Sequence, residues 1–228
     1  MEITVGYTQS MRIISVEGNI GSGKSTFLTY LSRLVESSLK SPNKVVVSLE
    51  PTAEWTKPCT ASGESMLGRF YRDKSKYAMV FHMHVLRTRW AQFEDVRFRS
   101  PKPERWFSER CIRSSVDVFG REMLETGCLD DVEWRVVNDY ADALFWPMEP
   151  DCVVYIRSDP EVCFARMHAR NRTEESGVSL EYLTQIHERY EAWIRSLQER
   201  GLPVHVVDGN RTREDIERDI DALDVDAM

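Results

Sequence analysis

Five short apolar runs punctuate the chain, at 12–17 (RIISVE), 44–50 (KVVVSLE), 106–110 (WFSER), 152–157 (CVVYIR) and 204–208 (VHVVD). Their length and their β-branched residues predict strands. Runs of this kind alternating with helical stretches predict a parallel sheet covered on both faces. Pro51 stops the second run, and the third is short and ends polar. Between 76 and 93 the apolar residues Met79, Met83, Leu86, Trp90 and Phe93 recur at four-three spacing, which predicts one face of a long helix. A helix is also expected over 24–35. Asp159-Pro160-Glu161, Ser179-Leu180-Glu181-Tyr182 and Thr212-Arg213-Glu214-Asp215 each read as a helix start. No repeat, low-complexity tract or linker interrupts the alternation. The expectation is one α/β domain over all 228 residues, five parallel strands flanked by helices, with 1–11 as a flexible extension.

Composition narrows the function classes. Apolar residues make up 42% of the chain, enough to build a core, and the formal net charge is −7. An acidic protein lacks the basic footprint of polynucleotide binding, so no such partner is expected. No segment approaches the roughly 18 apolar residues that span a bilayer, and the first residues lack the features of a secretory or transit leader. The five cysteines, Cys59, Cys111, Cys128, Cys152 and Cys163, are odd in number and lack paired-ligand spacing. A reducing intracellular setting, cytoplasmic by default, is therefore expected rather than a disulfide framework or a zinc site.

The clearest chemistry is Gly18-Asn19-Ile20-Gly21-Ser22-Gly23-Lys24-Ser25, which follows an expected strand and opens an expected helix. In that setting the pattern is a phosphate loop. Backbone N–H groups turn inward on glycine curvature, and the helix N-terminus adds positive potential. Lys24 reaches the outer phosphates and Ser25 offers a hydroxyl to Mg²⁺. The loop predicts a nucleoside triphosphate and says nothing of the acceptor. Asn43-Lys44 begins like a guanine-reading segment, but Val46 stands where that segment needs aspartate.

In doubly wound sheets ligands lie beyond the carboxyl ends of the strands. Two acids sit at such ends, Glu50 and Glu109. Glu109 suits Mg²⁺ as a hard oxygen ligand beside Ser25. Glu50 suits the removal of a proton from an attacking hydroxyl, or is simply a solvated strand-end acid. Arg110 is either a structural ion-pair partner or a clamp on the reacting oxygen. Arg166 and Arg170 share a helix face, with Arg172 just beyond and a loop expected over 174–177. Following the fourth strand, they read as a lid that brings positive charge to transferring phosphate.

These segments resemble the deoxynucleoside kinases related to deoxycytidine kinase, deoxyguanosine kinase, mitochondrial thymidine kinase and the insect multisubstrate enzyme. SVEGNIGSGKS at 15–25, LEPTAEW at 49–55 and LGRFY at 67–71 carry the resemblance. So do YAMVFH at 77–82, ERCIRSS at 109–115 and RNRTEESGVSLEYL at 170–183, and it spans 12 to about 208. The resemblance implies the P-loop kinase fold with an arginine-rich lid, Mg²⁺ with ATP as donor, and a homodimer through exposed helices. It makes Glu50 the general base for the sugar 5′-hydroxyl and Arg110 its clamp. Tyr71 and Glu175 would hold the deoxyribose 3′-hydroxyl. Trp55, Phe81 and Phe119 would wall the base, and 208–213 would hold the adenine.

Specificity in the family depends on three positions, matched here by His82, Arg89 and Ser115. His82 stands where the family reads the base with glutamine; an amide offers donor and acceptor side by side, whereas neutral imidazole offers them on opposite sides of its ring. His82 then makes one contact, or the base is read elsewhere. Arg89, about 10 Å further along the same helix face, matches an arginine that in the deoxycytidine and purine kinases partners an aspartate. That partner position is Ser115, small as in the thymidine-accepting branch. With the charge pair absent, Arg89 is expected to be freer to move or to meet a substrate carbonyl. Cys111, Arg113 and Val116 also depart from the pattern. Together these changes predict broadened pyrimidine specificity, thymidine and deoxycytidine both accepted, and fit a viral thymidine kinase of this branch. The competing readings are a deoxycytidine/purine deoxynucleoside kinase, a thymidylate-type monophosphate kinase, which would need basic residues where Glu50, Tyr71 and Glu175 stand, and a nucleotide-binding regulator without turnover.

Overall fold

The computed structural model describes residues 11–37, 44–145 and 148–222, so the expected extension lies outside the described residues except for Met11. Among them are five strands: β1 (Arg12–Glu17), β2 (Val45–Ser48), β3 (Arg105–Glu109), β4 (Cys152–Arg157) and β5 (Val204–Asp208). All pair in parallel, in the order β2-β3-β1-β4-β5. β1 is central, with Ile14 opposite Phe107 on one side and Cys152 on the other. The chain runs from β1 out to β2, back to β3, then across β1 to β4. The crevice where the order reverses lies at the carboxyl ends of β1, β3 and β4.

Alternation along β1 explains how the sheet is covered. Ile14 and Val16 face one side, where they pack with Phe27, Leu28 and Leu31 of α1 (Lys24–Ser37) and Ile220 of α10 (Arg213–Ala222). Ile13 faces the other side, packing with Trp106 of β3, Leu86 and Phe93 of α4 (Lys74–Arg97) and Val137 of α7 (Asp131–Phe145). Further along that side, Val153 and Tyr155 of β4 meet α8 (Pro160–Arg170) and α9 (Leu180–Glu199). Cover on both faces extends to β2, where Val45 and Val47 pack on one side and Val46 on the other, although every residue of β2 is half-buried and Val206 of β5 is exposed.

The remaining elements are short. α2 (Thr52–Thr56) and α3 (Met66–Arg72) precede α4. A helical run follows β3 as α5 (Ile112–Ser114), a π-helical turn (Ser115–Gly120) and α6 (Arg121–Glu125). Two helix starts form as expected: Ser179 accepts from the Tyr182 N–H at 3.1 Å, and Thr212 accepts from the Asp215 N–H at 3.2 Å. Asp159 differs, because its side chain caps nothing while Pro160 still opens the helix. Among the described residues no helix is long and apolar enough to cross a membrane.

Candidate active site

Glycine is required where the chain leaves β1. Gly18 has φ +145°, and a β-carbon there would lie 2.5 Å from the Ile156 carbonyl oxygen. At Gly21, φ is +78° and a β-carbon would lie 2.4 Å from the Cys163 carbonyl oxygen. Only glycine fits both turns. Asn19 locks the loop from inside, donating to the Leu183 carbonyl at 2.8 Å and accepting from the Ile20 N–H at 2.8 Å. Gly18, Asn19 and Ser22 do not line the crevice, whereas Ile20, Gly21, Gly23, Lys24 and Ser25 do. Lys24 is buried and donates to the Asn19 carbonyl at 2.6 Å, with Glu109 at 4.0 Å. Burial, with the Arg110 charge nearby, lowers the Lys24 pKa to about 8.

Ser25 and Glu109 converge as expected: the hydroxyl donates to both carboxylate oxygens, at 3.0 and 3.1 Å. A serine hydroxyl and a carboxylate meeting beside a phosphate-type loop form a hard-oxygen donor set that fits Mg²⁺.

The next residue corrects the expectation for the third strand. β3 ends at Glu109, one residue earlier, and Arg110 leaves it at φ +62°. Successive strand residues point to opposite faces; the left-handed turn breaks that alternation. Arg110 grips Glu50 with Nη1 at 2.7 and 2.8 Å, donates from Nη2 to the Gly18 carbonyl at 3.2 Å, and lies 4.8 Å over the Phe119 ring. Its Nε donates to Tyr190 at 3.0 Å, and the Tyr190 hydroxyl donates to Glu17 at 3.1 Å. Glu17 is fully buried at the end of β1 and also accepts from Ser15 at 2.6 Å and from the Cys111 N–H at 2.8 Å. Sequence reading missed Glu17 and Tyr190. The available signal was an acid closing an apolar strand directly before Gly18.

Burial alone would raise the Glu50 pKa, but Arg110, Arg89 and Lys24 outweigh it and hold the carboxyl at about 2. It stays ionised, and therefore able to accept a proton, at any ordinary pH. Arg89 corrects an expectation outright. Rather than being free, it is buried and donates to Glu50 Oε1 at 2.5 Å, to the Glu109 carbonyl at 2.8 Å and to the Arg110 carbonyl at 3.3 Å.

Beyond Glu50 the crevice becomes apolar. Trp55 meets Phe81 edge-on at 5.8 Å, and Phe70 stacks on Phe81 at 4.6 Å. Trp55 is fixed by donating to Thr88 at 2.9 Å. α4 serves two masters: one face carries the anticipated core stripe, while Phe81, His82, Val85 and Arg89 line the crevice. His82 is 2% exposed and its Nε2 has no partner among the described residues. Burial, then the Arg89 charge, lowers its pKa to about 4, so the imidazole is neutral. Ser115, at the start of the π-helical turn, donates to the Cys111 carbonyl at 3.1 Å. Tyr71 also lines the space, its pKa raised by burial and by the charge of Glu175.

The arginine segment is more ordered than a loop over 174–177 would be, because Thr173–Glu175 forms a 3-10 turn. Arg170 and Arg172 both pair with Glu175, at 2.5 and 2.8 Å, which ties the two arginines to the residue expected beside the sugar. Arg166 instead donates to the Gly209 carbonyl at 2.7 Å. All three arginines, Glu175, and Arg211 and Arg213 from the 208–213 segment border the same continuous cavity of about 630 Å³. One space thus joins a phosphate-type loop, an ionised carboxylate between two guanidiniums, and an aromatic chamber.

Residues 14–224 match the sequence profile of the family described as deoxynucleoside kinase. A probable deoxycytidine kinase of fowlpox virus is 30% identical over 199 residues, 86% of this chain and 77% of that protein. Rat deoxycytidine kinase is 30% identical over 197 residues, 79% of this chain and 74% of the relative. Human mitochondrial thymidine kinase 2 is 30% identical over 206 residues, 89% and 72% of the two chains.

Proposed function

The chain belongs to the deoxynucleoside kinase family, and we propose that this enzyme transfers the γ-phosphoryl group of ATP to the 5′-hydroxyl of pyrimidine deoxynucleosides, thymidine and deoxycytidine both. The observation that carries the proposal is Glu50, ionised and gripped by Arg110 and Arg89 between the glycine loop and the aromatic chamber. In the proposed reaction the 5′-oxygen attacks the γ-phosphorus in line and the bond to ADP breaks. The hydroxyl proton passes to Glu50. Lys24 and the lid arginines Arg166, Arg170 and Arg172 meet the charge that spreads over the phosphoryl oxygens. Ser25 and Glu109 would hold Mg²⁺, which when bound would supply positive charge to the donor phosphates.

The base preference rests on His82 and Ser115. A neutral imidazole with an unpartnered nitrogen makes one contact with a pyrimidine edge, and the small Ser115 leaves room for the thymine methyl. Relatives named for deoxycytidine and for thymidine stand at equal identity, which supports an enzyme that takes both. Exposed Val80 on α4 and Val132 and Val136 on α7, helices in mutual contact, support a homodimer through these elements. The odd number of cysteines supports an intracellular setting.

The test is a steady-state panel of the four deoxynucleosides and thymidine monophosphate, with Mg-ATP as donor. Thymidine and deoxycytidine should give the highest kcat/KM; preference for a purine or for the monophosphate overturns the assignment. In the same assay Glu50→Gln should lower kcat about 10²- to 10⁴-fold, the usual worth of a general base. Turnover left intact would remove Glu50 from that role.

A further inference from the structure

Arg89 lies on the wall of the acceptor chamber, seven residues from His82, where a base-reading role is the obvious assignment. Its bonds point elsewhere. Nη2 meets Glu50 Oε1 at 2.5 Å, and Nη1 meets the carbonyls of Glu109 and Arg110 at 2.8 and 3.3 Å. Glu50 Oε1 is thereby shared between two guanidiniums, since Arg110 reaches it at 2.7 Å. The same side chain also braces the peptide on which Arg110 turns left-handed.

Ser115 explains why the fork is undivided. Its hydroxyl donates to the Cys111 carbonyl at 3.1 Å and carries no charge that would draw the guanidinium away. Arg89 Nε, buried, has no partner among the described residues. A buried arginine with one carboxylate in reach pairs with that carboxylate.

We propose that Arg89 is a positioning residue for the proton-accepting carboxylate, and that the serine at 115 is what commits it to that task. The inference rests on the kinase reading above and deepens it. Glu50 alone has free rotation about its side-chain torsions. Arg110 fixes both oxygens from one side, and Arg89 fixes Oε1 from α4. The carboxylate is thus tied to three elements: its own β2 end, the β3 exit and α4. Two cations make Glu50 a weaker base but hold it in one orientation. In a loose phosphoryl-transfer transition state, where the proton moves late, orientation matters more than basicity.

The experiment compares wild type, Arg89→Met and Arg89→Lys by kcat and by KM for thymidine and deoxycytidine. Arg89→Met should lower kcat roughly 10- to 100-fold, in line with the loss of a group that orients a reacting one, while KM for either nucleoside stays within about threefold. The charged groups facing Glu50 are Arg89 from α4, Arg110 and Glu109 from the β3 exit, and Lys24 from α1. Arg89→Lys keeps the charge without the fork, so kcat recovers only in part. Should Arg89→Met fail to fold, the lysine variant decides alone: a kcat loss at unchanged KM supports the proposal, and a wild-type kcat overturns it. A loss expressed in KM with kcat intact also overturns it, because Arg89 would then read the base. If the wild-type enzyme phosphorylates no deoxynucleoside, the kinase reading itself fails, and that is seen before any variant is compared.

Discussion

His82 sets an acid limit on the stability of this enzyme. Its imidazole is 2% exposed, its Nε2 has no partner, and burial with the neighbouring Arg89 charge moves its pKa from 6.5 down to about 4. The sign follows from linkage: the unfolded histidine binds a proton as pH falls through 6.5, while the folded one refuses it until about 4. Stability therefore declines across that window, and this group causes no further loss below it. At about 1.4 kcal/mol per pH unit the whole window is worth about 3 kcal/mol, of which about 2 kcal/mol falls between pH 7.5 and pH 5. Glutamine at this position is neutral throughout and of similar reach. Denaturant unfolding of wild type and His82→Gln at pH 7.5, 6.5, 5.5 and 5 isolates the effect, because the raised carboxyls of Asp117 and Glu122 are common to both proteins and cancel. Glu50 titrates lower still and stays out of the range. The stability of His82→Gln relative to wild type should rise by about 2 kcal/mol from the first pH to the last. A difference that stays level, within about 0.5 kcal/mol, would refute a neutral buried imidazole and require an anion close enough to His82 to offset its burial.

Lys24, with its pKa lowered to about 8, should make donor capture sensitive to alkali. Expected is a fall in kcat/KM for ATP of about tenfold per pH unit above that value, and a flat profile to pH 10 would contradict it. Gly120→Ala should cost roughly 1–3 kcal/mol through overpacking, because its β-carbon would lie 2.9 Å from the Trp134 ring and 3.1 Å from His82 Cε1. The denaturation midpoint should drop and KM for the nucleoside should rise; an unchanged midpoint would mean that the π-helical turn yields freely.

The strands and the glycine loop were legible because each rests on local chemistry. Apolar runs need a sheet, and Gly18 and Gly21 need positive φ. α3 and the broken run over 112–125 were not, since segments of three to seven residues are too short to show a helical period. α7 did carry a readable signal that was passed over: Asp130 accepts from the N–H groups of Val132 and Glu133, and Trp134, Val137 and Ala141 share a face. The cluster of Glu50, Arg110, Glu109 and Ser25 followed from strand-end logic. The direction of Arg89 did not, because it depends on which carboxylate the fold brings near, and 39 positions separate it from Glu50 in the chain. Glu175 was expected beside the sugar, but its grip on Arg170 and Arg172 emerges only when the turn over Thr173–Glu175 is formed.

The left-handed residue at the end of β3 has a consequence for how this enzyme can vary. In the proposed reaction Glu109 serves the donor half of the crevice and Arg110 the acceptor half, yet they are consecutive residues, and Arg89 holds the carbonyls of both. The two halves of the reaction thus share a hinge pin rather than facing each other across independent walls. A substitution that tilts this peptide to suit a different nucleoside also tilts the carboxylate beside Ser25, so donor and acceptor properties are inherited as a unit. Changes that leave phosphate handling alone fall to chamber residues that neither touch the pin nor steer Arg89, and His82 is one of these.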